Sequence, residues 1–322
     1  MAIKRYFATK DNTITNAFKE NLSTRGTGSN MGAADILEVF SIFGQASSGS
    51  TELSRVILEF PVSGTTEGEI RGDRASGDIP VSGSVRFYLK LYNAKHSQTI
   101  PKNLVLNVQA VSQSWSEGTG LDMENYSDLT EEDGGSTWDK RFDSTAWGSV
   151  GGTFHTGVAY TPGISLPMYT ADFPEGDEDL EVDVTAMVEE WIASSADASP
   201  QLQNYGFALY ATGSQEAYYP ETTGQEINNP GGARESFYTK KFFSRTSEFF
   251  FKRPVLEARW DDSRRDDRGN FYYSSSLAPA NDNLNTLYFY NYVRGRLRNI
   301  PGVGTGNVYV SFFSGSSDDT QP

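Results

Sequence analysis

The stretch Ser84-Val85-Arg86-Phe87-Tyr88-Leu89-Lys90-Leu91-Tyr92 alternates strictly between two sets of side chains. One set is apolar and consists of Val85, Phe87, Leu89 and Leu91. The other set carries charges or hydroxyl groups and consists of Arg86, Tyr88, Lys90 and Tyr92. A period of two residues is typical of a β-strand that buries one face. The stretch therefore predicts a strand that covers a hydrophobic core.

Five further segments have the same period or a similar strand-like composition. They are Arg55–Phe60, Asn103–Ser112, Tyr205–Ala211, Tyr238–Ser244 and Phe249–Trp260. Alternation assigns an inward side chain to Val56, Leu58, Phe60, Leu104, Leu106, Val108, Ala110, Tyr205, Phe207, Leu209, Leu256, Ala258 and Trp260. Because only the polar connector Asn93–Lys102 separates two of these strands, we expect Ser84–Tyr92 and Asn103–Ser112 to be antiparallel neighbours.

One segment has the period of a helix instead. In Asp183–Ile192 the apolar residues recur at three- and four-residue intervals, at Val184, Met187, Val188, Trp191 and Ile192. Such spacing places them on one face of an α-helix. Asp183 is a suitable N-cap. We expect one short helix that packs its apolar face over the end of a β-sandwich.

The composition agrees with a β-rich protein. The chain has 322 residues, of which 13% are aromatic and 31 are glycine, as in folds built from short strands and polar turns. It contains no cysteine, which excludes disulfide scaffolds, thiolate zinc sites and cysteine nucleophiles. We predict an all-β protein, a jelly-roll-like antiparallel β-sandwich with one short helix and a small C-terminal β segment.

The charge and the start of the sequence bear on partners and location. A net charge of −15 disfavours binding to nucleic acid or to anionic membranes. Met1–Asp11 lacks the apolar core of a signal peptide, and no stretch approaches the roughly 20 apolar residues of a membrane span. We expect a protein made in a cytoplasm, without export by the signal route and without a membrane partner.

The sequence predicts three regions. Residues 1–260 form the sandwich, which closes with the strand that ends at Trp260. Residues 261–285 are a charged, polar linker, and residues 286–322 hold two strand-like runs, Thr286–Tyr292 and Asn307–Ser314. Because two strands do not form a stable sandwich alone, the last region is expected to add to a neighbouring sheet or to begin a further domain.

Motifs for catalysis are lacking, and we expect no enzyme. His96 and His155 stand outside any metal-ligand or triad spacing and are interpreted as surface or loop residues. Gly302–Gly306 precedes a strand-like run and is interpreted as a hairpin loop. The sequence also contains many carboxylates that a glycosidase could use in pairs, such as Glu117, Asp122, Glu124 and Asp128.

Several side chains are candidates for contacts. The same acidic cluster, or Asp177-Glu178-Asp179, could bind calcium, although no EF-hand spacing is present and no cofactor is otherwise predicted. Tyr218 and Tyr219 either contact a partner or pack within their loop. Arg294, Arg296 and Arg298 alternate, so three arginines on one strand face could pair with an acidic neighbour or lie in solvent. We interpret Phe249-Phe250-Phe251 as part of a strand core.

An ordered set of short motifs over residues 6–260 resembles the DNRLRE-type β-sandwich, a jelly-roll module related to carbohydrate-binding modules. The motifs are Tyr6–Ile14, Asn30-Met31-Gly32, Arg55–Phe60, Trp115-Ser116-Glu117, Thr137-Trp138, Trp147 with Gly151-Gly152, Val182–Trp191, Asn204–Leu209 and Arg253–Leu256. Val182–Trp191 is the most specific of them. The resemblance implies a jelly roll and no catalytic residues.

The chain also resembles virion structural proteins of tailed bacteriophages, especially those of marine cyanobacteria, through Met1–Asn16, the Asn30-Met31-Gly32 region and Leu287–Asn299. This resemblance implies a component of the tail, neck, collar or fibre. Its partners would be other virion proteins, in a homo-oligomer or symmetric assembly, and its location the virion. The alternative is an adhesin that binds host glycan, and a glycan-degrading enzyme is the third hypothesis.

The predicted division at Trp260 can be tested by truncation. A chain that ends at Trp260 should unfold in one cooperative thermal transition, because the predicted core closes there. Circular dichroism of the truncated and full-length chains provides the measurement. A broad, non-cooperative melt of the truncated chain would contradict the division.

Overall fold

The computed structural model describes residues 1–44, 51–96, 99–121, 135–142, 144–155, 167–194, 203–219, 228–263 and 288–298, with single positions 277, 279, 281, 300, 307, 309 and 310. The chain divides into two compact units, Met1–Asp261 and Asp262–Pro322. Most of the predicted linker 261–285 and of the run Asn307–Ser314 lies outside the described residues.

The first unit contains two antiparallel sheets. The smaller sheet has the order β1-β13-β5-β10, with β1 Ala2–Phe7, β13 Val255–Trp260, β5 Val85–Leu91 and β10 Leu180–Asp183. The larger sheet has seven strands in the order β12-β3-β4-β11-β6-β9, while β2 pairs with β4 beside this path. Its strands are β2 Lys10–Thr15, β3 Ile36–Phe43, β4 Thr51–Glu59, β6 Leu104–Ala110, β9 Tyr169–Phe173, β11 Phe207–Ala211 and β12 Phe237–Phe243.

The predicted strands around Ser84 and Asn103 exist, but they are not neighbours. β5 lies in the smaller sheet between β13 and β10, and β6 lies in the larger sheet between β11 and β9. The expectation that they pair was therefore wrong. Alternation fixes which face of a strand is buried, but it does not fix which strand lies beside it. The connector Asn93–Lys102 crosses from one sheet to the other.

The main hydrophobic core lies between the two sheets. β5 contributes the four side chains that alternation predicts, each at most 2% exposed. The predicted inward residues of the other strands are also in this core, namely Val56, Leu58, Phe60, Leu104, Leu106, Val108, Ala110, Phe207, Leu209, Leu256 and Ala258, with Trp260 partly buried against it. The predicted all-β sandwich is confirmed.

A second hydrophobic cluster covers the outer face of the larger sheet. Leu53 and Ile57 of β4 point away from the main core and pack with Trp115, Trp138 and Trp147. The two strands β7 Lys140–Phe142 and β8 Thr145–Ala146 lie in this covering layer. Tyr205, which was predicted to point inward, packs against this second cluster instead. The central strands of the larger sheet are thus buried on both faces.

An ion pair joins the covering layer to the sheet. Arg55 of β4 and Glu216 lie 2.7 Å apart, and their side chains are only 9% and 8% exposed. The Arg55 guanidinium also donates to the carbonyl of Gly151 at 2.9 Å. A side chain at Gly151, where φ is +77°, would collide with the Trp138 ring. This glycine therefore permits the close approach of backbone, tryptophan and arginine.

The predicted helix is present as α2, Thr185–Ser194. Val184, Met187, Val188 and Trp191 are fully buried, as the spacing predicts. Asp183 lies two residues before the first helical position, and its carboxylate accepts the backbone N–H of Thr185 at 3.0 Å. The side chain thus caps the helix from one position earlier than expected.

A second short helix was not predicted. α1, Ile70–Ser76, buries Ile70 but also Gly72 and Asp73, so it has no helical pattern of apolar residues. The Tyr6 hydroxyl donates to the Asp73 carboxylate at 2.7 Å, and the Lys4 ammonium lies 2.6 Å from it. A buried charge holds this helix against β1, and hydrophobic periodicity does not report such an interaction.

The described part of the second unit contains a small hairpin. Its strands are β14 Asn291–Val293 and β15 Arg296–Arg298. The predicted strand Thr286–Tyr292 therefore has different bounds, since the described residues Tyr288–Tyr290 precede β14 and are not in a strand.

Breaking the buried Arg55–Glu216 pair should destabilise the protein more than breaking an exposed ion pair. Glu216→Ala leaves the Arg55 charge buried without its carboxylate, so the free energy of unfolding should fall by about 3–5 kcal/mol. Glu175→Ala is the control, because Glu175 and Lys102 form a pair that is 70% and 64% exposed, and it should cost less than about 1 kcal/mol. Urea unfolding measures both, and equal losses would contradict a buried pair.

Candidate functional site

The hairpin of the second unit carries the three candidate arginines. Arg294 and Gly295 form its turn, at φ values of +52° and +76°, which suits a two-residue hairpin loop. Arg296 and Arg298 lie on one face of β15, and all three side chains are exposed. The expectation of three arginines on one strand is corrected, because Arg294 belongs to the turn.

A row of tyrosines leads into the same hairpin. The rings of Tyr288 and Tyr290 stack with centroids 6.4 Å apart, and those of Tyr290 and Tyr292 are 6.4 Å apart at a wider angle. Tyr292 lies opposite Leu297, whereas Val293 lies opposite Arg296. Since neighbours across a strand pair share a face, the hairpin has one face with Tyr292 and another with Arg296 and Arg298.

The charge of the protein is divided unequally between the two units. Residues 262–322 contain six arginines and six aspartates, so the net charge of −15 belongs entirely to residues 1–261. Residues 283–317, which include the hairpin, contain the three arginines and no carboxylate. The hairpin therefore has one aromatic face and one basic face on an otherwise acidic chain, and the basic face suits an acidic partner surface.

Tyr218 and Tyr219 are engaged within the first unit. Tyr218 is half-buried, with the Arg234 guanidinium 4.1 Å above its ring and the Phe43 ring 6.4 Å away. The backbone of Tyr219 pairs with Asn229. Of the two interpretations that the sequence left open, this packing favours structural tyrosines over an exposed contact pair.

The three phenylalanines at 249–251 form a surface that the sequence did not predict. Phe250 begins a turn of 3-10 helix, Phe250–Lys252, and β13 starts only at Val255. Phe249, Phe250 and Phe251 are 51%, 48% and 78% exposed. The interpretation of this run as strand core was wrong, because the backbone turns before the pairing with β5 begins.

The predicted calcium cluster at Asp177–Asp179 surrounds a lysine. The Lys240 ammonium, which is buried, donates to the carbonyls of Gly176 and Glu178 at 2.9 and 2.7 Å. The Glu178 carboxylate accepts the backbone N–H groups of Glu175 and Gly176. Among the described residues, no group of three histidine, aspartate or glutamate side chains could hold a metal ion. The loop is thus organised around an internal cation.

The carboxylates that the sequence left open for glycoside hydrolysis are only partly described, since Asp122, Glu124 and Asp128 lie outside the described residues. Glu117 is committed to an ion pair with Arg245 at 2.6 Å and accepts the backbone N–H of Asp11. Burial, together with the charge of Glu117, raises the pKa of Asp11 to about 7. Both carboxylates point into the protein, where they join β2 to the loop after β12.

An open depression of about 460 Å³ lies at the start of α2, lined by Gly83, Val85, Arg86, Tyr169, Asp183, Thr185 and Ala186. Its two charges neutralise one another, because Arg86 and Asp183 lie 3.2 Å apart. Burial raises the pKa of Tyr169 to about 12, so its hydroxyl stays protonated at neutral pH. The Thr185 hydroxyl in the same depression donates to the Asp183 carboxylate at 2.5 Å.

Both histidines are half-buried rather than exposed. Burial lowers the pKa of each, and the lysines Lys240 and Lys241 lower that of His96 further. His96 Nε2 lies 2.9 Å from Asn93 Oδ1, so this histidine contacts the side chain that also binds Lys240.

No described helix is long and apolar enough to cross a membrane.

Comparisons with known proteins assign no family to the chain. No protein-family model and no curated protein matches the chain.

The raised pKa of Asp11 predicts that the free energy of unfolding depends on pH. Its pKa is raised from 3.8 to about 7 in the folded protein, so the folded state binds this proton more tightly and stability falls as pH rises from about 4 to 7. Relative to wild type, Asp11→Asn should therefore gain stability over that range, by about 1.4 kcal/mol per pH unit at most.

Urea unfolding at pH 4, 5.5 and 7 measures this difference. Glu67→Gln, which changes an exposed carboxylate, is the control. Its free energy of unfolding should differ from that of the wild type by the same amount at each of the three pH values. An Asp11→Asn curve that also runs parallel would show that Asp11 titrates normally.

Proposed function

We propose that the protein is a structural component of a tailed-phage virion, located in the tail, neck or collar or beside a fibre, and that it acts by protein–protein assembly. The observation that carries this proposal is the exposed hairpin of β14 and β15, with its arginines, together with the tyrosines at 288 and 290 that precede it. The phage context rests on the sequence resemblance. Synthesis in the host cytoplasm followed by incorporation into the virion belongs to the same proposal.

The hairpin has the composition of an interface. Two strands alone are at best marginally stable in water, so a surface that adds strands or packs against them stabilises the hairpin. Tyrosine and arginine, with tryptophan, are enriched in the energetic centres of protein interfaces, and phenylalanine is enriched in their cores. Tyr292 and Phe289 are 48% and 61% exposed and offer such anchors.

The charge distribution indicates the chemistry of the partner. The hairpin carries only positive charges, whereas residues 1–261 carry the whole net negative charge. An acidic sandwich of a second copy, or of another virion protein, would attract it. Homo-oligomeric or symmetric assembly follows if the acidic surface belongs to a second copy.

Glycan binding is the second candidate function. The neighbouring rings of Tyr288, Tyr290 and Tyr292 are a feature that favours it, because exposed aromatic faces stack on sugar rings. Tyr218, in contrast, is covered by Arg234. A glycan-degrading enzyme is the least supported, since Glu117 is held in an ion pair.

Two measurements test the proposed function. Peptide mass spectrometry of purified phage particles should find the protein at a small symmetric copy number relative to the major capsid protein. In solution, light scattering should show an oligomer whose association weakens at least tenfold in the double variant Arg296→Glu/Arg298→Glu, and also weakens with salt.

Lys102→Glu is the control, because it reverses an exposed charge on the first unit and makes that unit more acidic; it should not weaken association. Absence from particles together with a monomer at all concentrations would refute assembly. Binding in a glycan screen that is lost in Tyr288→Ala/Tyr292→Ala would then assign the adhesin function.

A further inference from the structure

The ammonium of Lys240 is held at one position by three acceptors. Lys240 is a residue of β12 and its side chain is fully buried. Its Nζ donates to Asn93 Oδ1 at 2.8 Å and to the carbonyls of Gly176 and Glu178 at 2.9 and 2.7 Å. These bonds use all three protons of the ammonium, so the nitrogen has a fixed orientation.

One of the three acceptors is a carboxamide, which is an electrophile. A carbonyl bond is about 1.2 Å long, so the amide carbon of Asn93 lies within about 4 Å of Lys240 Nζ. The backbone of Asn93 is fixed too, because its N–H donates to Asp179 Oδ1 at 2.8 Å and the residue forms a β-bridge with Phe242. Amine and amide are thus held in place by the fold.

A third group contacts the amide oxygen. His96 Nε2 lies 2.9 Å from Asn93 Oδ1. Because the Lys240 ammonium can only donate, the Asn93 atom between them is the oxygen, and His96 Nε2 must carry a hydrogen to bind it. A donor at this oxygen polarises the carbonyl and stabilises negative charge on it.

The surroundings of the amine are apolar on one side. The centroids of the Phe173 and Phe242 rings lie 4.5 and 5.1 Å from Lys240 Nζ. Burial lowers the pKa of Lys240 to about 8, against the opposing charges of Glu178, Asp177 and Asp179. His96 and Lys241 also face this region. A fraction of the Lys240 amine is therefore deprotonated, and thus nucleophilic, near neutral pH.

We propose that Lys240 and Asn93 react to form an intramolecular isopeptide bond. Loss of the proton directed at Asn93 Oδ1 leaves the nitrogen lone pair facing that oxygen. A rotation of the carboxamide then brings its carbon, Cγ, to the lone pair, while the bonds to Gly176 and Glu178 keep the nitrogen in place. The lone pair attacks the amide carbon, and His96 donates to the developing oxyanion.

The reaction balances without any other reagent. The Nζ–Cγ bond forms and the Cγ–Nδ2 bond of Asn93 breaks. The ammonium of Lys240 and the carboxamide of Asn93 become a secondary amide, and the leaving nitrogen takes up the released protons to depart as an ammonium ion. No oxidation or reduction takes place.

Such a bond would join the two sheets of the sandwich. Asn93 follows β5 of the smaller sheet, and Lys240 lies in β12 at the edge of the larger sheet. The chain has no cysteine, so an amide could supply the covalent constraint that disulfides supply elsewhere. The inference concerns the first unit and does not rest on the proposed function.

The intact mass of the denatured full-length chain tests the proposal directly. The mass should be one ammonia, about 17 Da, below that of the sequence. Trypsin cannot cleave after a cross-linked Lys240, so the digest should contain a branched peptide in which residues 91–95 are joined to residues 235–241.

Matched variants identify the reacting groups. Lys240→Arg keeps the charge, and Asn93→Ala removes the electrophile; both should have the full mass of their sequences. Lys241→Arg, which alters the neighbouring surface lysine paired with Glu38, should keep the loss of ammonia. His96→Ala should slow the reaction at least tenfold, as measured by mass over time after refolding.

Two results would overturn the proposal. One is the full sequence mass for the wild type after prolonged incubation of the folded protein at pH 9, where the amine is neutral. The other is an ammonia loss that persists in Lys240→Arg, because a cyclised asparagine would lose the same mass without the lysine.

Discussion

The ion pair between Arg55 and Glu216 is the constraint on which much of the first unit depends. Arg55 lies in the central strand of the larger sheet and points out of the main core. A buried guanidinium is costly unless every donor has a partner. Glu216, the Gly151 carbonyl and the rings of Trp138 and Tyr210, at 5.3 and 5.0 Å, complete its surroundings. The segments that carry Trp138, Gly151 and Glu216 must therefore fold over the sheet.

Similar polar contacts recur where loops meet the sheets. The Asn30 carboxamide donates to the carbonyls of Glu117 and Ser136, and the Asn12 carboxamide also donates to Ser136. Arg245 binds Glu117 beside the buried Asp11. Buried polar groups that are fully bonded specify one arrangement of their neighbours. In a chain without cysteine, these contacts, and Lys240 with them, hold the loop residues that form them against the sandwich.

The errors of the sequence-based predictions share a physical cause. Alternation correctly identified the buried face of β5, but the short connector Asn93–Lys102 led to the wrong neighbour for it. The Phe249–Phe251 run is apolar enough for a strand, but the turn before Val255 exposes it. α1 escaped prediction because its buried anchor is Asp73. Partner choice, backbone turns and buried charges all depend on residues that are distant in sequence.

The sequence by itself determined the fold class, the strands β4, β5, β6, β11, β12 and β13 with most of their buried side chains, and the position and apolar face of α2, because these follow from local periodicity. It also located the three arginines of the hairpin. Only the tertiary structure decided which sheet each strand joins, that the larger sheet is covered on both faces, and that Lys240 meets Asn93. Residues 147 positions apart come together through the packing of two sheets, and no local pattern encodes that contact.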